Sequence, residues 1–142
     1  PVTEETLEDL AVLLGEYQEF YNAIPDHEHN LSFLKTVLKR EGGLFFLGKS
    51  GKENIGYVSL YFSYSSVTAR RIAILNDLYV REKYRGHGLG RELIDFVINY
   101  VKEMKIQQVR WCTRIDNIQA QSLYIKYDAT KTDWFHYDLN VE

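Results

Sequence analysis

The stretch Tyr84-Arg85-Gly86-His87-Gly88-Leu89-Gly90-Arg91 places three glycines at alternate positions between two segments of different periodicity. Before it, residues 69–80 (ARRIAILNDLYV) are rich in β-branched and aromatic side chains, as strands are. After it, Leu89, Leu93, Val97, Tyr100, Val101 and Met104 recur at helical spacing and predict a helix over 89–104. A helix that starts from such a loop points N–H groups and the positive end of its dipole at whatever lies above it. Glycine permits positive φ and lets an anion approach the backbone with no side chain in the way. A turn needs fewer glycines than the row Gly86, Gly88, Gly90, so the loop reads as an anion site to which Arg85 and Arg91 add charge.

The rest of the chain frames this junction. Leu7, Leu10, Leu13, Leu14, Tyr17 and Tyr21 predict a first helix started by Thr3 or Thr6, followed by a loop over 22–30 and a second helix over 31–40. Strands over 44–49 and 55–64 form a hairpin around the turn 50–54. A strand over 109–114, a helix over 117–127 and a closing strand over 134–141 complete the order. That order is α/β, a mixed, partly antiparallel twisted sheet flanked by helices. With 45% hydrophobic and 26% charged residues, 142 residues suit one globular domain over 1–142.

Several function classes recede on composition. No apolar run approaches the ~18 residues of a membrane helix, and no basic-then-apolar leader opens the chain, which predicts a soluble cytoplasmic protein. Net charge −3 gives no electrostatic reason to bind nucleic acid. Cys112, the single cysteine, excludes an internal disulfide and a thiolate metal cluster, and is expected to be a buried strand residue. His27 and His29 flank Glu28 in an expected exposed loop, but no further ligand pair accompanies them, so no metal is expected. Eleven tyrosines exceed what core packing needs, so some should line a polar-tipped cavity.

The glycine loop lacks the Gly-Lys-Ser/Thr ending of a nucleotide-triphosphate cradle, and its spacing departs from the dinucleotide fingerprint. It fits Arg/Gln-x-x-Gly-x-Gly/Ala, as Arg85-Gly86-His87-Gly88-Leu89-Gly90 after Asp77-Leu78-Tyr79-Val80. Further on, Asn117-Ile118-Gln119-Ala120-Gln121-Ser122-Leu123-Tyr124 fits Asn-x-x-Ala-x-x-Leu/Phe-Tyr. Together these motifs resemble the acetyl-CoA-binding segment and the following helix of the GNAT superfamily of N-acetyltransferases. The resemblance runs loosely before Ala69 and closely from Leu75. Tyr61-Phe62-Ser63-Tyr64, Asn76 to Val80, and Lys131-Thr132-Asp133-Trp134 look most like the diamine (spermidine/spermine) and small-amine branch. Two positions depart from that pattern. Asn76 stands where the branch often carries Glu, and Asp128 stands where glycine would end the tyrosine helix in a left-handed conformation, which Asp tolerates. Pro1 to Glu5 resembles the segment just after the family's opening strand, so such a strand is expected ahead of residue 1.

The resemblance implies roles. Acetyl-CoA would be held by Arg85, Gly86, His87, Gly88, Leu89, Gly90 and Arg91 at its pyrophosphate, by Leu78, Tyr79 and Val80 along its pantetheine, and by Asn117. Tyr124 would be the general acid toward sulfur, with Tyr127 a core residue, and Asp77 would attract or deprotonate the amine. Tyr17, Tyr21, Asp26, Glu28 and Asn76 would wall the amine pocket, since acidic and aromatic groups suit a cation. The expected reaction is acetyl transfer to a small primary amine by direct attack in a ternary complex. A protein-lysine acetyltransferase and a non-catalytic acetyl-CoA sensor are the alternatives. A homodimer formed through strands is also implied.

Overall fold

The computed structural model describes residues 1–40 and 42–141. The chain forms two compact units, Pro1–Cys112 and Thr113–Glu142. In the first, α1 (Leu7–Phe20) and α2 (His27–Lys39) precede β1 (Gly43–Ser50), β2 (Glu53–Ser65) and β3 (Arg70–Val80), and α3 (Leu89–Glu103) leads to β4 (Val109–Arg110). The sheet order is β1-β2-β3-β4, antiparallel throughout except for the parallel β3/β4 pair. The mixed, partly antiparallel sheet is therefore present as the sequence predicts.

Strand alternation builds two cores. Phe45, Tyr57 and Tyr79 pack against Leu7, Leu10, Leu13 and Leu14 of α1 and Leu34 of α2. Their strand neighbours Phe46, Val58 and Leu78 turn to the opposite face and meet Val97 and Val101 of α3. The helices thus cover both faces of the sheet, and the stripe Leu93, Val97, Tyr100, Val101 and Met104 is the face α3 buries. The hairpin between β1 and β2 closes with two turn residues, Gly51 taking φ 60° where an L side chain would be strained. At Gly56 the constraint is steric: a Cβ there would lie 2.2 Å from the Tyr79 carbonyl oxygen, so β2 and β3 can approach this closely only with glycine at that position.

Three expectations need correction. The loop predicted over 22–30 ends early, because Asp26 caps α2: its Oδ1 accepts from the His29 N–H at 3.0 Å, which recruits residues 27–30 into the first turn. His27 is then fixed against α1, its Nε2 2.6 Å from Glu8 Oε1. The strand predicted over 109–114 contracts to Val109–Arg110, which leaves Cys112 exposed beyond its end instead of buried in a ladder.

In the second unit, α4 (Ile118–Ile125) is capped by Asn117, whose Oδ1 accepts from the Ala120 N–H at 3.2 Å. Asp128 takes φ 52°, the left-handed conformation expected of the residue standing in for glycine. Tyr127, expected in a core, is half-buried. The closing strand predicted over 134–141 is the third correction. A strand needs a ladder partner, and among the described residues this segment has none. No helix among the described residues is long and apolar enough to cross a membrane.

Candidate active site

The antiparallel register between β2 and β3 slips by one residue. Ser59 faces Asp77 and Leu60 faces Leu75, which leaves Asn76 as the extra residue of a β-bulge. Ala73 and Leu75 point toward α3, and without the bulge Asp77 would follow them into that apolar core. The inserted residue reverses the alternation, so Leu78 takes the α3 face and Asp77 joins Tyr79 on the face under α1. There the carboxylate meets Ser59, whose Oγ donates to Asp77 Oδ2 at 2.5 Å and accepts from the Asp77 N–H at 3.0 Å. Asn76, exposed on the bulge, donates from Nδ2 to Asp77 Oδ1 at 3.1 Å.

Tyrosines surround this carboxylate. Tyr17 of α1 lies edge-on to Tyr21, Tyr57 and Tyr79, at centroid distances of 5.0, 5.9 and 5.9 Å. Burial first, and the Asp77 charge second, raise the Tyr17, Tyr57 and Tyr61 hydroxyls above the usual phenol range, so all three stay neutral near pH 7. Tyr57 is fully buried, and among the described residues its hydroxyl has no hydrogen-bond partner. The cluster therefore sets one half-buried carboxylate among phenol rings, a set that suits a cationic donor such as an ammonium.

β3 also presents a one-sided edge. Its ladder to β4 ends at Ile74/Arg110, and beyond that point β3 has no strand on that side among the described residues. The Arg81 N–H returns to Ile55 O on β2 at 2.9 Å. By alternation, Val80 and Leu78 then point their backbone groups away from β2, while Tyr79 points its own toward it. The Val80 carbonyl is already taken by Arg85 Nε at 2.8 Å.

Past Val80 the chain is anchored to α1. Glu16 receives Arg81 Nη2 at 2.6 Å and Nε at 2.9 Å, and the Tyr79 hydroxyl at 3.2 Å. Arg85 turns back in the same direction, its guanidinium 5.0 Å from the Phe20 ring centroid. Its guanidinium thus contacts α1 and a backbone carbonyl. The glycines behave as the loop requires: Gly86 and Gly88 take φ 81° and 85°, and a Cβ on either would meet nothing within 4 Å. Gly88 is the N-cap of α3, whose first intrahelical bond is Glu92 N–H to Gly88 O at 3.1 Å. His87 is exposed, Leu89 and Gly90 open the helix, and Arg91 lies 3.7 Å from Asp95 one turn on. Open space above a left-handed cap and a helix N-terminus is a cradle that an anionic phosphate fits.

The remaining predicted residues divide. Tyr17 lies within the cluster around Asp77, with Tyr21 against its ring and 37% exposed. Asp26 and Glu28 are instead in the N-terminal region of α2, and no hydrogen bond among the described residues joins them to Asp77. In the second unit, Tyr124 is half-buried on α4, and Asn117 uses its side-chain oxygen as the helix cap.

Compared with known proteins, the sequence matches the Acetyltransferase (GNAT) family over residues 8–127. The chain belongs to that family. It is 34% identical over 132 residues to the D-amino-acid N-acetyltransferase of Saccharomyces cerevisiae, a match covering 90% of this chain and 81% of that enzyme. It is 34% identical over 85 residues to the thialysine N-epsilon-acetyltransferase of Bos taurus, covering 58% of this chain and 49% of that enzyme. The crystal structure of a probable acetyltransferase superposes with TM-score 0.88 at 30% identity, covering 99% of this chain and 95% of the other.

The chain is accordingly an N-acetyltransferase of the GNAT family, which uses acetyl-CoA as co-substrate. Sequence reasoning missed four residues around this candidate site: Ser59, Tyr57, Glu16 and Arg81. For Ser59 a signal existed, since a serine within the apolar run Tyr57-Val58-Ser59-Leu60 of a central strand must find a hydrogen bond. Glu16 and Arg81 lie 65 residues apart, and nothing in the local pattern pairs them.

Proposed function

We propose that this GNAT enzyme transfers acetyl from acetyl-CoA to the primary amine of a small molecule, by direct attack within a ternary complex and in a single domain over 1–142. The carrying observation is the Asp77 carboxylate, turned by a bulge to a cluster of neutral tyrosines. The names of the yeast and bovine relatives, enzymes for D-amino acids and thialysine, support a small amine.

Acetyl-CoA supplies an activated acyl group on a thiol leaving group. Backbone N–H groups of the loop from Gly86 to Arg91 would hold its pyrophosphate, the outward groups of Leu78 and the outward N–H of Val80 would pair with the pantetheine amides, and Asn117 would steady the arm. Asp77 binds the ammonium form of the substrate and receives, directly or through water, the proton that an amine of pKa ~10.4 must lose before attack. Tyr17 and Tyr21 wall the amine side with Asn76 at the rim. Tyr124 would give its hydroxyl proton to the departing sulfur, and the second proton that the nitrogen loses as it becomes an amide would restore the hydroxyl through water.

A thiol-release screen with acetyl-CoA against spermidine, D-lysine, thialysine, an aminoglycoside and a lysine peptide tests this reading. One of the small amines is expected to give the highest kcat/KM. Preference for the peptide would make the enzyme a protein-lysine acetyltransferase, and CoA release no faster than hydrolysis with every amine would make the chain a sensor.

The same reading includes a homodimer formed through residues 134–141. Phe135, Tyr137, Leu139 and Val141 are 85–92% exposed and alternate with His136, Asp138 and Asn140, the pattern of a strand that pairs with another chain. Sedimentation should show a dimer at micromolar concentration that Tyr137→Lys shifts toward monomer, and a wild-type monomer there would remove this part of the proposal.

A further inference from the structure

We infer that Ser59 is a positioning residue, setting the Asp77 carboxylate for the amine. The inference rests on the amine-site reading above and goes beyond it, because Ser59 touches neither substrate. It sits in the middle of β2, fully buried on the α1 face, where Tyr57 and Tyr61 flank it, while its chain neighbours Val58 and Leu60 point to the other face. A hydroxyl at such a place is costly to bury unless it is bonded. Both hydrogen bonds found for it go to one residue: Oγ donates to Asp77 Oδ2 at 2.5 Å and accepts from the Asp77 N–H at 3.0 Å.

The bulge explains why two bonds are needed. Inserting Asn76 re-aims Asp77 but takes its N–H out of the regular ladder, and the serine oxygen supplies the missing acceptor. The serine proton then fixes the side chain. With Oδ2 tied to Ser59, Oδ1 touched by Asn76 at the exposed rim and the Tyr17 hydroxyl also bonded to the carboxylate, the side chain is held in one orientation, and its four lone-pair sites leave capacity for a cationic donor. Without Ser59 the carboxylate keeps only its bonds to Asn76 and Tyr17 and is held less tightly, and each binding event must order it again at a cost in affinity.

Ser59→Ala removes both bonds, so its effect must be separated from a loss of stability. The measurements are KM for the best acceptor among spermidine, D-lysine and thialysine, calorimetric Kd for acetyl-CoA, and the melting temperature. Asp77→Asn is expected to raise the amine KM at least about tenfold, and Ser59→Ala about three- to tenfold, with acetyl-CoA affinity unchanged in both. In the double variant Ser59→Ala should add nothing to the KM of Asp77→Asn, because a positioning residue has no effect once its charge is gone. Ser59→Cys keeps the volume but donates weakly, so it carries the same expectation where the alanine variant does not fold. An additive rise in the double variant, or an unchanged KM in Ser59→Ala beside a raised one in Asp77→Asn, overturns the inference and leaves the amine site standing. An unchanged KM in Asp77→Asn overturns the amine site itself, and this inference with it.

Discussion

Tyr124→Phe is expected to lower kcat by roughly ten- to a thousand-fold while acetyl-CoA affinity and melting temperature stay close to wild type. The ring and its packing on α4 are retained, so a fall in stability is not anticipated from the loss of one hydroxyl on a half-buried side chain. The effect is differential. A phenol beside the thioester sulfur gains most from its hydrogen bond once negative charge develops there, so its removal acts on the transition state more than on the bound ground state. The upper limit is set by the leaving group: a thiol of pKa ~8.5 departs tolerably unaided, and one general acid contributes ~10²–10⁴ in rate. Steady-state rates on the best amine, compared with cofactor titration and a thermal melt, separate the cases. If kcat remains near wild type while chemistry limits turnover, Tyr124 is a packing residue and the sulfur is protonated by another route.

How much of the fold is legible in the sequence depends on how local each signal is. The α3 stripe from Leu93 to Met104 needs only helical periodicity, and the structure buries that face. Asp128 is local as well, since the left-handed region tolerates few residue types and its φ of 52° comes from ending a helix there. The strand predicted over 134–141 failed for the opposite reason. Alternation tells a segment that it can be a strand, but a ladder needs a partner, and the partner is not written in the segment. Asp26 is an intermediate case. Its capping of α2 was available from an acidic residue ahead of a helical run, but the cluster of polar residues after Pro25 resembled a loop.

The site divides along the same line. The glycine row and its positive-φ positions were legible because glycine marks a backbone requirement at the residue itself. Asp77 was legible as a carboxylate near that loop, yet the face it serves depends on a one-residue slip between Ser59 and Leu60, and no periodicity within β3 contains that slip. Arg85 shows the limit most clearly. Its place in the motif implies a phosphate partner, whereas its contacts with the Phe20 ring and the Val80 carbonyl come from packing that the motif does not contain. The cluster around Asp77 gathers Tyr17 from α1, Tyr57 and Ser59 from β2 and Asp77 from β3, and that convergence is a property of packing alone.

Gly88→Ala is expected to weaken acetyl-CoA binding by about ten- to a hundred-fold, in proportion to one or two charge-assisted backbone hydrogen bonds to phosphate. A Cβ there meets no protein atom within 4 Å, so its steric effect falls on whatever occupies the space above the cap. The backbone cost is separate. At φ 85° an L residue is strained by ~1–2 kcal/mol, and relaxation of that strain would rotate the N–H groups at the start of α3. Gly51→Ala supplies the control, because Gly51 also has positive φ, at 60°, and open space around it, but lies in the β1/β2 turn. Both variants should therefore melt a few degrees below wild type. Acetyl-CoA Kd, measured by calorimetry, should rise in Gly88→Ala and remain unchanged in Gly51→Ala. Equal Kd values in the two variants and wild type would reduce the glycine row to a connector, since the one difference between the two sites is what each faces.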